Sequence, residues 1–193
     1  MASFAVLFLL SYVAASVNFA ILLLRAIGKG DPRDSYSGNA GTTNVYRQAG
    51  PLWAALVLLL DLGRGAALAA LAAHLLPPEG VPWIGLGLVA GNRFPCFHGF
   101  RGGKGVAGFM GFALVIAPLA TGLAALLWVA VYGIVRIPFV ASFFMILALA
   151  IGIITVYNQS NTAVAGAVAA ATLIFYNHKR NVMNLIAARK GRT

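Results

Sequence analysis

The chain is predicted to be all-α: a polytopic membrane helix bundle of about seven transmembrane helices, two of them short, with the N-terminus outside and the C-terminus cytoplasmic. Three observations carry this. Of 193 residues, 61% are hydrophobic and only 9% charged, against roughly 25% in a soluble domain, which leaves too few polar groups to cover a water-facing surface. The apolar residues run in long uncharged blocks, near the ~20-residue length that crosses hydrocarbon as helix. The basic residues gather in alternate loops. At that length per span there is room for at most about seven, so residues 1–193 are read as a single membrane domain.

Residues 1–24 hold no ionisable side chain, end at Arg25 and Lys29, and lack the basic start of a signal peptide. They are expected to be a retained first span. Residues 52–76 form a second, interrupted by Asp61 and Arg64 and closed by Pro77-Pro78-Glu79-Gly80. The i, i+3 spacing puts Asp61 and Arg64 on one helix face. Two readings stay open for them: a structural ion pair, or the wall of a polar cavity. Residues 81–92 are apolar but span only about 18 Å as helix. Residues 105–135 are uncharged and divide at Pro118 into 105–117 and 118–135. Residues 137–177 divide at Asn158-Gln159-Ser160-Asn161 into two further spans. Two of the seven segments are too short to cross about 30 Å unaided, so five full spans plus a re-entrant pair is the alternative.

Orientation follows from charge. Thirteen of the 14 basic residues fall in loop 25–51, loop 93–104, the turn at Arg136 and the C-terminal tail; the opposite loops, at 77–80, Pro118 and 157–161, have none. Basic loops mark the cytoplasmic side. The same distribution, short loops between apolar runs rather than one soluble basic face, excludes nucleic acid as partner despite the net charge of +10. A single cysteine, Cys96, excludes an internal disulfide and a cysteine-based zinc cage.

Three polar clusters emerge on the basic side. The first is Ser37-Gly38-Asn39-Ala40-Gly41-Thr42-Thr43-Asn44, with Arg47 one turn on. Its glycines let the backbone expose consecutive N–H groups among hydroxyls and amides, a nest for an anion such as phosphate. The second is Phe100-Arg101-Gly102-Gly103-Lys104-Gly105-Val106-Ala107, which opens an apolar helix. A lysine among glycines at a helix N-terminus is again anion chemistry. It is not a nucleotide P-loop, because Gly105 stands where a magnesium-binding Ser or Thr is required. The third is His178-Lys179-Arg180-Asn181, with His178 and Asn181 on one face. No cluster of metal-ligating residues accompanies them. A transporter or channel for an organic phosphate shares these anion sites, but the far side lacks the cation that a two-sided path needs.

These residues carry a resemblance. The Ser37–Asn44 stretch with Arg47, and Phe100–Ala107, resemble the first two signatures of the bacterial acyl-phosphate-dependent glycerol-3-phosphate acyltransferases, the PlsY family. His178–Leu185 is similar to the third, Asp61–Gly65 resembles a family D-x-x-K-G segment, and Ser142 falls where the family has a serine. Asn92, Asn184 and Thr193 depart from the family pattern, which has His, Arg and often Glu there. The resemblance implies transfer of a fatty acyl group from acyl phosphate to the 1-hydroxyl of glycerol 3-phosphate, without cofactor or metal, in the bacterial inner membrane and facing the cytoplasm. A monomer is the expected state. It implies catalytic roles for Lys104 and His178. Substrate and phosphate contacts are expected from Ser37, Gly38, Asn39, Gly41, Thr42, Thr43, Asn44, Arg47, Arg101, Gly102, Gly103, Gly105, Ser142 and Asn181. The proton acceptor is left open between His178 and a substrate phosphate oxygen. The rival reading is a non-catalytic lipid- or phosphate-binding protein.

Overall fold

A computed structural model of the chain describes residues 2–190; Arg192 of the basic tail and Thr193 lie outside them. Every regular element among the described residues is helical. Besides three short 3-10 turns, the α-helices in chain order are α1 (Ala2–Ser16), α2 (Phe19–Ala26), α3 (Thr42–Ala49), α4 (Pro51–Leu75), α5 (Val81–Arg93), α6 (Val106–Ile116), α7 (Pro118–Val135), α8 (Pro138–Val156), α9 (Asn161–Asn177) and α10 (Lys179–Lys190). Ala2–Ala26, Pro51–Leu75, Pro118–Val135 and Pro138–Val156 are long and apolar enough to cross a membrane. The shorter α5 and α6 have 13 and 11 residues, about 20 and 17 Å of helix.

The helix boundaries follow local chemistry. Pro51, Pro118 and Pro138 each open a helix at a position where the missing N–H has no partner to lose. Ser160 caps α9 by accepting from the Ala163 N–H at 3.2 Å. The first span is the exception to the expected continuous helix. It breaks at Val17–Asn18, where Asn18 starts a new helix by accepting from the Ile21 N–H at 3.1 Å. The carbonyls freed at the end of α1 are taken by Arg64, whose Nη1 donates to Val17 O at 2.6 Å and Ala14 O at 3.3 Å. Arg64 also pairs with Asp61 at 2.5 Å. The ion pair therefore ties α4 to the break in the first span.

Small residues let the helices approach closely, as they must where lipid supplies no hydrophobic drive. A Cβ on Gly65 would lie 2.0 Å from the Gly108 carbonyl oxygen, and one on Gly111 2.1 Å from that of Leu62, so α4 and α6 pack backbone to backbone. Gly91 sits in the same way against Tyr12, joining α5 to α1. The main core is built from Leu88, Phe109, Phe112, Ile146, Leu149 and Ile174 of α5, α6, α8 and α9. A smaller cluster around Ile21, Leu24, Val45 and Val57 seats α3 against α2 and α4.

Candidate active site

The three polar clusters, distant in sequence, line one cavity of about 480 Å³. Its polar end is formed by Ser37, Asn39, Gly41, Thr42, Thr43, Arg47, Asp61, Asn92, Lys104, Gly105, His178 and Asn181, with Ser142 on the α8 wall. The apolar remainder is Leu58, Met110, Trp128, Val129, Phe139, Met145 and their neighbours, from α4, α6, α7 and α8. One chamber thus joins a cationic end to a greasy wall.

Lys104 is placed by the far end of α9 and the start of α10. Its Nζ donates to Asn181 Oδ1 at 2.5 Å, and Asn177 Nδ2 donates to its backbone carbonyl at 3.2 Å. Burial lowers the ammonium pKa to about 8, with Arg47 and Arg93 pushing the same way. Among the described residues, neither Lys104 nor Arg47 has a carboxylate partner; the one carboxylate on the wall, Asp61, is held by Arg64. A desolvated, uncompensated cation beside an exposed arginine calls for an anionic ligand. Thr42 Oγ1, buried and without a hydrogen-bond partner, adds a polar atom in the same wall.

The glycines of the second cluster answer mainly to close packing. A Cβ on Gly102 would lie 2.1 Å from the Asn92 carbonyl oxygen, and one on Gly103 2.5 Å from that of Ala40. Gly103 N–H donates to Asn92 O at 2.9 Å. Gly105, at φ +85° and tight against Val89, turns the chain into α6. Asn92, where the family pattern has His, is thus buried beneath the loop and on the cavity wall.

His178 is buried between α9 and α10. Its Nδ1 lies 2.8 Å from the Ile174 carbonyl oxygen, which only accepts, so Nδ1 carries the proton and Nε2 keeps its lone pair. Burial, and then the Lys104 charge, lower its pKa to about 4, so the ring is neutral at pH 7. The Phe143 ring stands edge-on at 5.3 Å. Ser142 donates to Pro138 O at 3.0 Å and accepts from Trp128 Nε1 at 3.1 Å, which aims it from α8.

Five expected contact residues lie off the cavity wall: Gly38, Asn44, Arg101, Gly102 and Gly103. Asn44 is buried, and its Nδ2 donates to Pro32 O, Ser35 O and Asn39 O at 2.6–3.1 Å, so it shapes the loop from behind. Arg101 points to solvent while its carbonyl accepts from Arg33 Nη1 at 2.8 Å. For Asp61 the two sequence readings hold together, since it lines the cavity and pairs with Arg64; Asn92 on the wall and Asn177 behind Lys104 are not among the contacts expected from the sequence. The signal available was a polar side chain in or at the end of an apolar helix, which is costly unless it has a task.

The family profile described as glycerol-3-phosphate acyltransferase matches residues 5–188. The chain belongs to this family, in its PlsY branch. It is 36% identical over 182 residues to the glycerol-3-phosphate acyltransferase of Mesorhizobium japonicum, covering 94% of this chain and 91% of that one. With the enzyme of that name from Pseudomonas fluorescens, the identity is 38% over 189 residues, covering 97% and 98%. The fold superimposes with a TM-score of 0.89 on the crystal structure of PlsY (YgiH), an integral membrane glycerol 3-phosphate acyltransferase, in its glycerol 3-phosphate form. That match is 28% identical and covers 97% of this chain and 94% of the other. The lysophosphatidic acid form of the same enzyme gives a TM-score of 0.85.

Proposed function

We propose that this acyltransferase takes its acyl group from acyl phosphate and delivers it to the 1-hydroxyl of glycerol 3-phosphate, releasing phosphate and lysophosphatidic acid. Glycerol-3-phosphate acyltransferase activity follows from the family. The donor is supported chiefly by one observation: Arg47 and Lys104, unpaired with any carboxylate among the described residues, share a chamber with an apolar wall. That combination suits an anionic headgroup on a long chain. An acyl phosphate is a mixed anhydride, activated enough to need no protein nucleophile, and the sole thiol, Cys96, is not on the wall.

In this reading the 1-hydroxyl oxygen attacks the acyl carbonyl carbon, the carbonyl electrons move onto oxygen, and their return breaks the carbon–oxygen bond to phosphate. Lys104, Arg47 and the N–H groups at the start of α3 (Thr42 and Thr43) and at Gly105 neutralise phosphate and the developing oxyanion. The hydroxyl proton goes to His178 Nε2 or to a substrate phosphate oxygen. A phosphate monoester with second pKa near 6 is a stronger base than a ring at about 4. That favours the phosphate oxygen, with neutral His178 accepting a hydrogen bond and Asn181 and Ser142 orienting the acceptor.

The basic loops and the cavity share one end of the bundle, while Ser3, Leu76, Glu79, Trp83 and Thr162 gather around a second, apolar cavity at the other. This supports seven membrane segments in a single domain, N-terminus outside and site facing the cytoplasm. The deciding assay gives purified protein labelled glycerol 3-phosphate with palmitoyl phosphate or palmitoyl-coenzyme A. Lysophosphatidate from palmitoyl phosphate alone is expected; transfer only from the thioester would replace the donor.

A further inference from the structure

Both anion clusters ride on loops, and their separation must be held if Arg47 and Lys104 are to grip neighbouring phosphates. Few hydrogen bonds cross between the two loops, and one side chain supplies the strongest. Arg33 precedes the first cluster. Its Nη1 donates to His98 O at 2.6 Å and to Arg101 O at 2.8 Å, both in the loop that carries Lys104. Its Nε and Nη2 fork onto the Asp31 carboxylate at 2.8 and 2.6 Å. Four of its five N–H donors are thus engaged. Asp31 is locked in turn: it accepts the Arg33 backbone N–H at 2.9 Å and Arg25 Nη2 at 2.7 Å. Hydrogen bonds from Arg33 hold its carboxyl well below the usual carboxylate range, so the fork stays ionised through the working pH range. The side chains of Arg33 and Asp31 are only 15% and 10% exposed. Neither lines the cavity.

The strap sits on the tightest seam of the site. Gly103, one residue before Lys104, packs against the Ala40 carbonyl so closely that no side chain fits. Asn44 holds the Arg33 side of the seam by donating to Pro32 O, and Asn18 Nδ2 donates to Ala40 O at 3.3 Å. A shift of the Lys104 loop is therefore resisted by Arg33 at one edge and by the Gly103–Ala40 contact at the other.

We propose that Arg33, aimed by Asp31, is a positioning residue for acyl transfer: it clamps the two phosphate-binding loops in register without touching substrate. The proposal rests on the functional reading above. A lysine cannot replace the arginine, because one ammonium cannot hold a carboxylate in a fork and reach two carbonyls at once.

The test compares parent, Arg33→Lys, Asp31→Asn and Arg25→Gln in detergent, each at a temperature where thermal unfolding shows it fully folded. Calorimetric Kd and steady-state KM for glycerol 3-phosphate are measured with kcat. Arg33→Lys should raise Kd and KM at least tenfold, and Asp31→Asn should move them less in the same direction. Arg25→Gln, which removes only an exposed outer partner of Asp31, should stay within threefold. In Arg33→Lys the alkaline decline of binding should also move up from near pH 8, because a loosened site is wetter and farther from the Arg47 charge. A merely structural role would lower the unfolding temperature and leave Kd and the pH profile of the folded fraction unchanged; that result overturns the clamp. An unfolded Arg33→Lys passes the decision to Asp31→Asn, whose unchanged Kd likewise overturns it. A parent that makes no lysophosphatidate defeats the functional reading, and the clamp with it; an active parent with unmoved variants defeats the clamp alone.

Discussion

Lys104 carries its charge where burial opposes it, and this makes its proton the sensitive point of the site. Its pKa of about 8 means the ammonium is lost as pH rises through that value, and a bound phosphate should pull it back up. Affinity for glycerol 3-phosphate is therefore expected to fall as pH increases above about 8, by up to tenfold per pH unit. Titration calorimetry from pH 6.5 to 9.5 checks this, and a flat profile removes Lys104 from phosphate binding. Lys104→Ala should lower kcat/KM at least 100-fold, about 3 kcal/mol, while the protein stays folded. Arg47→Lys should raise KM for one of the two phosphate substrates, since a point ammonium does not reproduce a planar fork. His178 has the opposite exposure to pH. Its folded pKa of about 4 lies below the unfolded value near 6.5, so the unfolded chain binds more protons between them. Stability is complete above about pH 6.5 and declines as pH falls towards 4, by at most about 3 kcal/mol. Asp31, depressed further, acts only at lower pH. Unfolding temperatures of parent and His178→Gln at pH 4.5, 5.5 and 7 should diverge least at the lowest value.

At the scale of elements, the site is made by helix ends rather than helix faces. α3 and α6 present their N-termini to the cavity, and the junction of α9 with α10 brings His178, Asn177 and Asn181 to Lys104. Helices α5 and α6 are too short to cross alone, and the loop between them carries the half-buried Lys104. The glycine contacts make this arrangement intolerant of bulk. Gly103→Ala, with its Cβ 2.5 Å from the Ala40 carbonyl oxygen, must push the two loops apart. A loss of about 1–3 kcal/mol is expected, together with weaker substrate binding. Gly122→Ala, in open space on α7, is the matched control and should leave thermal unfolding unchanged. Equal behaviour of the two variants would show that the seam yields.

For the whole molecule, the charge asymmetry and the position of the cavity make one joint statement about topology. Single cysteines at Ser35 and Glu79, in a Cys96→Ala background, sit at opposite ends of the bundle and are both exposed. In intact cells a membrane-impermeant thiol reagent should label the Glu79 position and spare the Ser35 position. The reverse pattern would place the site outside the cell, away from cytoplasmic glycerol 3-phosphate.

Much of this protein is legible in one dimension. Hydrophobic runs, prolines and basic loops depend on composition along the chain, because the bilayer imposes the same length and polarity on every helix. The divisions at Pro118 and at Asn158–Asn161 could accordingly be read directly, and so could the Ser37–Asn44 and Gly102–Lys104–Gly105 clusters. What each polar residue does could not, because that depends on partners that only the fold brings within reach, 5 residues away for Asn39 and Asn44 and 68 away for Arg33 and Arg101. Asn44 stands in the stretch with anion chemistry, and in the fold its Nδ2 donates to three carbonyls of its own loop. Arg64 looked like half of an ion pair, and it also closes the broken end of α1. Gly103 suggested a phosphate nest, yet its missing side chain makes room for the Ala40 carbonyl. Arg33 read as one more basic loop residue, and only the fold brings His98 O and Arg101 O to its guanidinium. Sequence alone determined that the chain is a helical membrane protein with anion chemistry on its basic side. Tertiary structure decided which groups face the ligand and which hold them, because a hydrogen bond depends on distance and direction, and no single stretch of sequence encodes either across a bundle.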